Sequence, residues 1–181
     1  MVSIAEPVTV RPVRVSDIRD AAGVANVLNH VIAEGRYTAL TGDWTPEAER
    51  AFLQQLGPRS QVFVAEAAGE IVGFQVVEPF ANYASAMDHV AHFGTYVLDQ
   101  FRGQGIGRKL AAATLAFARA HGYEKSVVYV LAHNQLGLAY YRGLRFETQG
   151  TLTRQSKIGG VYCDEVVMEM HFDDDEAAAG V

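Results

Sequence analysis

The chain has 181 residues, of which 49% are hydrophobic and 20% charged, enough length and apolar material for one globular domain whose core needs no disulfide or metal. The formal net charge of -6 and a pI of about 5.5, without a basic stripe, argue against a nucleic-acid partner. One cysteine, Cys163, excludes an internal disulfide and a cysteine-rich zinc site, and no apolar run approaches the ~20 residues of a membrane-spanning helix.

Residues 1–7 have neither a basic start nor an apolar stretch and are not read as a signal peptide. Residues 8–15 alternate apolar positions with Thr9, Arg11 and Arg14, which predicts a short strand interrupted by Pro12. Ser16 or Asp17 can cap the helix that follows. Its Ile18, Ala21, Ala22, Ala25, Leu28 and Ile32 recur at helical spacing up to Gly35. Thr45-Pro46 opens a second helix, with Phe52, Leu53 and Leu56 on its buried face and Gly57-Pro58 at its end. Residues 62–67 and 71–77 flank a turn at Ala68-Gly69-Glu70 and predict a hairpin. Residues 89–98 form a third apolar run. Residues 105–121 are strongly helical, with Ile106, Leu110, Ala113, Thr114, Phe117 and Ala118 on one side. A strand over 126–131 and a short helix over 134–143 follow. Residues 146–154 and 161–171 predict a closing hairpin around Gly159-Gly160. Residues 173–181, acidic and then small, are expected to be a disordered tail after a single domain over 1–172. This order predicts one mixed α/β sheet with helices packed against it.

The sharpest chemical signal is Arg102-Gly103-Gln104-Gly105-Ile106-Gly107, between the 89–98 strand and the long helix. Alternate glycines let backbone approach a ligand, and the loop opens into a helix start whose free N–H groups and dipole favour an anion such as a pyrophosphate. Arg102, Arg108 and Lys109 add positive charge nearby. The spacing is neither that of a Gly-x-x-x-x-Gly-Lys-Ser/Thr phosphate loop nor that of a Gly-x-Gly-x-x-Gly dinucleotide fingerprint.

Arg102, Gly105 and Gly107 match the Arg/Gln-x-x-Gly-x-Gly/Ala motif of the GCN5-related N-acetyltransferase (GNAT) superfamily, which the chain resembles over about residues 8–171. A second block agrees: Asn134, Tyr141 and Phe146 fit the Asn, Tyr and Gly-Phe pattern of that family, with Arg145 in place of the usual Gly. Within the family the chain looks most like the phosphinothricin and amino-acid acetyltransferase branch. The grounds are Asn29-His30, the 89–97 strand and the closing Gly160-Val-Tyr-Cys-Asp-Glu. The resemblance implies a single mixed, mostly antiparallel sheet of about six or seven strands flanked by about four helices. It also implies acetyl-CoA as co-substrate and a homodimer; no His, Cys or Asp cluster has metal-ligand spacing, so no metal is expected, and with one cysteine and no secretion signal read, a cytoplasmic location is expected.

Acetyl transfer to an amine requires the thioester held close, the ammonium deprotonated and the departing thiolate stabilised. The resemblance implies that backbone groups of Tyr96 and Val97 hold the pantetheine arm. The amides of Arg102, Gly103, Gln104, Gly105, Ile106 and Gly107 would hold the pyrophosphate, and Asn134 would contact the cofactor, although Asn also favours a helix N-cap. Tyr141 is the candidate general acid; its alternative is a core tyrosine. Tyr140, beside it, reads as packing. His92 stands where the phosphinothricin enzymes carry a catalytic glutamate and is the candidate base; its alternative is a structural histidine. Glu34, Tyr37 and Asp88 are candidate substrate contacts. Cys163 replaces a histidine of that branch and is expected to be a small buried residue. The function expected is an N-acetyltransferase acting on a primary amine of a small, amino-acid-like or xenobiotic molecule. A protein N-terminal or lysine acetyltransferase and a non-catalytic CoA-binding protein are the alternatives.

Overall fold

A computed structural model describes residues 7–172; the expected acidic tail over 173–181 lies outside the described residues. Seven strands form one sheet in the order β1-β2-β3-β4-β5-β7-β6. They are β1 (Thr9–Pro12), β2 (Gln61–Ala67), β3 (Glu70–Pro79), β4 (Val90–Val97), β5 (Lys125–Leu131), β6 (Glu147–Ile158) and β7 (Val161–His171). The helices are α1 (Ile18–Ala33), α2 (Pro46–Gln55), α3 (Ile106–Ala120) and α4 (Gln135–Gly143), with short 3-10 turns at Ser85–Met87 and Asp99–Phe101. Every pairing is antiparallel except β4 with β5. No helix of the described residues is long and apolar enough to cross a membrane.

Helix starts form where a side chain can replace the missing carbonyl acceptors. Asp17 accepts from the Arg19 amide at α1, Thr45 from the Ala48 amide at α2 and Asn134 from the Gly137 amide at α4. The β2–β3 turn places Ala68 and Gly69 at φ 51 and 81, the double positive φ of a type I′ hairpin. Arg145, where a glycine was the family's usual choice, adopts φ 69 and donates its amide to Arg142 C=O at 2.9 Å. The turn is thus kept at the cost of a left-handed arginine. Strand β6 runs beyond the predicted end at 154: Arg154 sits at φ 54, the ladder slips between Leu152 and Ser156, and pairing resumes to Ile158.

One part of the core covers β1–β4 with α1, α2 and the start of α3, around Val24, Leu28, Leu53, Val64, Phe74 and Leu110. The other packs Phe93, Tyr141, Phe146, Met168 and Phe172 around β4, β5 and β7. β1 is tied down by charge: Arg11 donates to Asp20 at 2.6 and 2.8 Å and to Glu66 at 2.7 Å, while the Arg14 amide donates to Asp20 at 2.7 Å. Asp20 is only 4% exposed, and Asp20→Ala takes one of two carboxylates from Arg11 and the acceptor from the Arg14 amide, while Glu66 still pairs the guanidinium. The loss expected is about 2–3 kcal/mol, below the range for a fully buried pair because Arg11 keeps some solvent contact. Urea unfolding checks it; an unchanged midpoint would show the cluster to be idle.

Candidate active site

Strands β4 and β5 hydrogen-bond only at their beginnings, where Val90, Ala91 and His92 lie beside Lys125, Ser126 and Val127. Beyond His92, β4 stays with β3 and β5 stays with β7. The sheet therefore splits into a wedge that opens toward the C-terminal ends of both strands. The β3–β4 ladder determines what lines it. The Leu98 amide donates to Val72 C=O and the Phe80 amide to Val90 C=O, each at 3.0 Å. Even-numbered residues of β4 therefore turn their backbone groups to β3, and odd-numbered ones turn theirs to the wedge. Of the expected pair, Tyr96 directs its backbone to Phe74, whereas Val97 borders the wedge. Phe93 and Thr95 border it too, and neither was singled out from sequence. Val97 C=O accepts from Arg102 Nε at 2.9 Å.

At the mouth of the wedge, α3 begins without any side-chain cap, unlike α1, α2 and α4. Its first cap bond is Lys109 N–H to Gly105 C=O at 3.1 Å, so the amides of Ile106, Gly107 and Arg108 have no helical acceptor. Gly105 stands at φ 79 and Gly103 at φ 74, and a Cβ at either would meet open space. Gly107 differs: a Cβ there would lie 2.7 Å from the Tyr140 ring. That glycine lets α4 approach α3, and Tyr140 donates its hydroxyl to Gly107 C=O at 2.9 Å. Ile106 is buried and anchors the helix start, and Gln104 Nε2 donates to Gln100 C=O at 2.8 Å. The Arg102 side chain is spent on holding the loop. It donates to Glu34 at 2.8 Å and lies 4.4 Å over the Tyr37 ring. Asn134 caps α4 and reaches Tyr37 C=O at 3.4 Å with its amide nitrogen.

Tyr141 projects from α4 to the wedge from the α3 side. Its hydroxyl lies 3.1 Å from Thr95 Oγ1, which also accepts from Gln75 Nε2 at 2.7 Å. Gln75 is fully buried, and its Oε1 has no partner among the described residues. Tyr141 packs edge-on against Tyr140 and Phe146 at 4.9 and 5.1 Å. Burial, then the neighbouring Tyr140, push its phenol well above the ordinary range. The Tyr140 phenol is pushed up to about 12, chiefly by burial. Both hydroxyls therefore keep their protons.

His92 lies on the opposite face of β4, because successive side chains alternate and it is three residues from Thr95. It faces Glu78 across the β3–β4 ladder. Val127 C=O lies 3.0 Å from Nδ1 and can only accept, so Nδ1 carries the proton and Nε2 is left as an acceptor. Desolvation lowers its pKa below the usual imidazole value, outweighing that hydrogen bond and the Glu165 charge. Tyr129 flanks it at 6.0 Å. Asp88 is exposed near the closed end of the wedge, where its C=O accepts from Arg59 at 2.6 Å. Glu34 and Tyr37 gather on Arg102 and Asn134. Cys163 is half-buried rather than buried and lines a cleft of about 540 Å³ with Gly35, His133 and Tyr162. Its hairpin stands past the slipped part of β6, away from either core.

The model of the acetyltransferase (GNAT) family matches residues 29–146. The chain belongs to the GNAT family. It is an acetyl-CoA-dependent N-acetyltransferase. An L-methionine sulfoximine/L-methionine sulfone acetyltransferase of Pseudomonas paraeruginosa is 26% identical over 174 residues, covering 92% of this chain and 97% of the relative. The phosphinothricin N-acetyltransferase of Streptomyces viridochromogenes is 26% identical over 146 residues, covering 81% and 78%. In structure, a GNAT phosphinothricin acetyltransferase from Sinorhizobium meliloti in complex with acetyl-CoA superposes with a TM-score of 0.80 at 19% identity, covering 91% of this chain and 88% of that one. The residues present suit such a donor: a strand edge left unpaired along Thr95 and Val97, and an uncapped helix start fronted by empty space at Gly103 and Gly105. Among the described residues no cluster of His, Cys, Asp and Glu gathers to hold a metal.

Proposed function

We propose that this GNAT enzyme acetylates a small-molecule primary amine by direct attack within a ternary complex, with His92 as base and Tyr141 as donor to the leaving group. One observation carries the reading: His92 and Tyr141 stand on opposite faces of the split sheet, either side of the wedge. A reacting group held in the wedge would meet the amine on one face and release sulfur on the other. The odd-numbered amides of β4 and the start of α3 bind and align the donor, which supplies an activated acyl group on a thiolate leaving group. Neutral His92 takes the ammonium proton at Nε2, directly or through a water. The Tyr141 hydroxyl then donates to the departing sulfur while Thr95 holds it in place. The relatives named for methionine sulfoximine and phosphinothricin support a small acceptor over a protein N-terminus or lysine. The same reading puts the enzyme in the cytoplasm, where the lone Cys163 stays a free thiol, and carries a homodimer over from the family.

Initial rates with donor and amine both varied test the order of events. Intersecting reciprocal plots are expected; parallel plots with acetyl-enzyme, Cys163 being the available thiol, would overturn direct transfer. The base has its own signature. Because His92 is held below the ordinary imidazole value, kcat/KM should rise with pH along a limb centred below ~6.5 and level off above it. His92→Gln and His92→Ala should both lose that limb and follow ionisation of the free amine instead. An identical limb in parent and variants would move the role to Glu78 or another neighbour.

A further inference from the structure

Gln75 sits within β3 between Phe74 and Val76 and is fully buried. A side-chain amide in such a place is costly unless its hydrogen bonds are made. Its Nε2 lies 2.7 Å from Thr95 Oγ1 and a longer 3.4 Å from the Tyr140 hydroxyl, while its Oε1 meets no partner among the described residues. The amide uses its donors and leaves its acceptor idle.

Which end of the amide faces the hydroxyls is decided by Tyr140. Its hydroxyl gives its proton to Gly107 C=O at 2.9 Å, and a carbonyl can only accept. Toward Gln75 the Tyr140 oxygen can then only receive, so the amide atom turned to it is the nitrogen. The same nitrogen donates to Thr95 Oγ1. Thr95 keeps its own proton to give, and the Tyr141 oxygen stands 3.1 Å away. With Thr95 donating to Tyr141, the Tyr141 proton is left for the wedge. The Tyr140 ring that starts this series is seated by Gly107 of α3, where a Cβ would come within 2.7 Å of it. The helix start that fronts the donor site and the leaving-group acid therefore share one hydrogen-bonded series.

We infer that Gln75 and Thr95 are positioning residues for acyl transfer: through this one-way series they turn the Tyr141 proton to the leaving sulfur and hold the phenolate that remains. The inference rests on the reading of Tyr141 as donor to the leaving group and deepens it. As the C–S bond breaks, its electron pair goes to sulfur, and sulfur takes the Tyr141 proton. The phenolate oxygen keeps the Thr95 hydrogen bond, now stronger because its acceptor is charged. The proton that nitrogen sheds as the amide forms restores the phenol through solvent.

With a poorly reactive amine, kcat should be measured for Gln75→Met, Thr95→Val and Thr95→Ser, each with Tyr141 and with Tyr141→Phe. Met fills the Gln75 space and removes the idle Oε1, so the melting temperature should stay near the parent's. With Tyr141 present, Gln75→Met and Thr95→Val should each lower kcat about 10-fold. Thr95→Ser, which restores the hydroxyl, should stay within about 3-fold of the parent, and KM for acetyl-CoA should hold throughout. On Tyr141→Phe none of the three should cost anything further, since what they position is gone. Equal losses in both backgrounds, no loss with Tyr141 present, or Thr95→Ser as slow as Thr95→Val overturns the inference, while a slow Tyr141→Phe leaves the acid standing. Parental kcat in Tyr141→Phe removes the acid and the inference together. Should Gln75→Met fail to fold, Thr95→Val and Thr95→Ser decide the matter across the same two backgrounds.

Discussion

Tyr141→Phe is expected to lower kcat roughly 10²-fold, the lower end of what a positioned acid supplies, with little change in acetyl-CoA affinity. The ring stays wedged between Tyr140 and Phe146, and Thr95 Oγ1 keeps its bond from Gln75, so the fold has little to lose. An ordinary phenol titrates at ~10 and a thiol at ~8.5, a mismatch small enough for proton sharing. Burial raises the Tyr141 phenol, but the same dry surroundings raise a thiol held beside it, so the two move together. The measurement is kcat where chemistry limits the rate, established with a poorly reactive amine. Parental turnover under those conditions would make Tyr141 a packing residue.

Gly105→Val should weaken acetyl-CoA binding by at least ~10-fold, about 1.4 kcal/mol. Two effects combine. Valine is strained at φ 79, and its side chain would stand in the open space before the uncapped amides of α3. Gly122, at φ 76 after the other end of α3, has equally empty surroundings and separates these effects. Gly122→Val should lose similar stability and bind acetyl-CoA like the parent. Calorimetric titration of both variants is the check; equal affinities would remove the loop from the donor site.

The element order was legible because local signals carry it: helical spacing in α1 and α3, Thr45-Pro46 at α2, and Ala68-Gly69 at the first hairpin. The glycine loop and the Asn134–Tyr141 block were legible for the same reason, each lying within a few residues of chain. What escaped depends on register. Whether Tyr96 or Thr95 turns its backbone to the wedge is a matter of parity on β3, and a one-residue shift would reverse it. The separation of β4 from β5 after His92 reflects pairings some thirty-five residues apart, for example His92 with Val127. Glu34 looked like a substrate carboxylate because nothing in the sequence shows that Arg102 folds back onto it. Gln75, inside an otherwise apolar run, was a visible signal left unread: a fully buried amide demands partners, and those partners are Thr95 and Tyr140.

The account is tested most directly by following CoA thiol release by the full chain with acetyl-CoA, with and without a primary amine, and weighing the amine afterwards by mass spectrometry. Amine-dependent thiol release, matched one for one by N-acetylated amine and lost in step in Tyr141→Phe, is the result expected. Thiol release that ignores the amine, or tight acetyl-CoA binding without any amine acetylated, would contradict it.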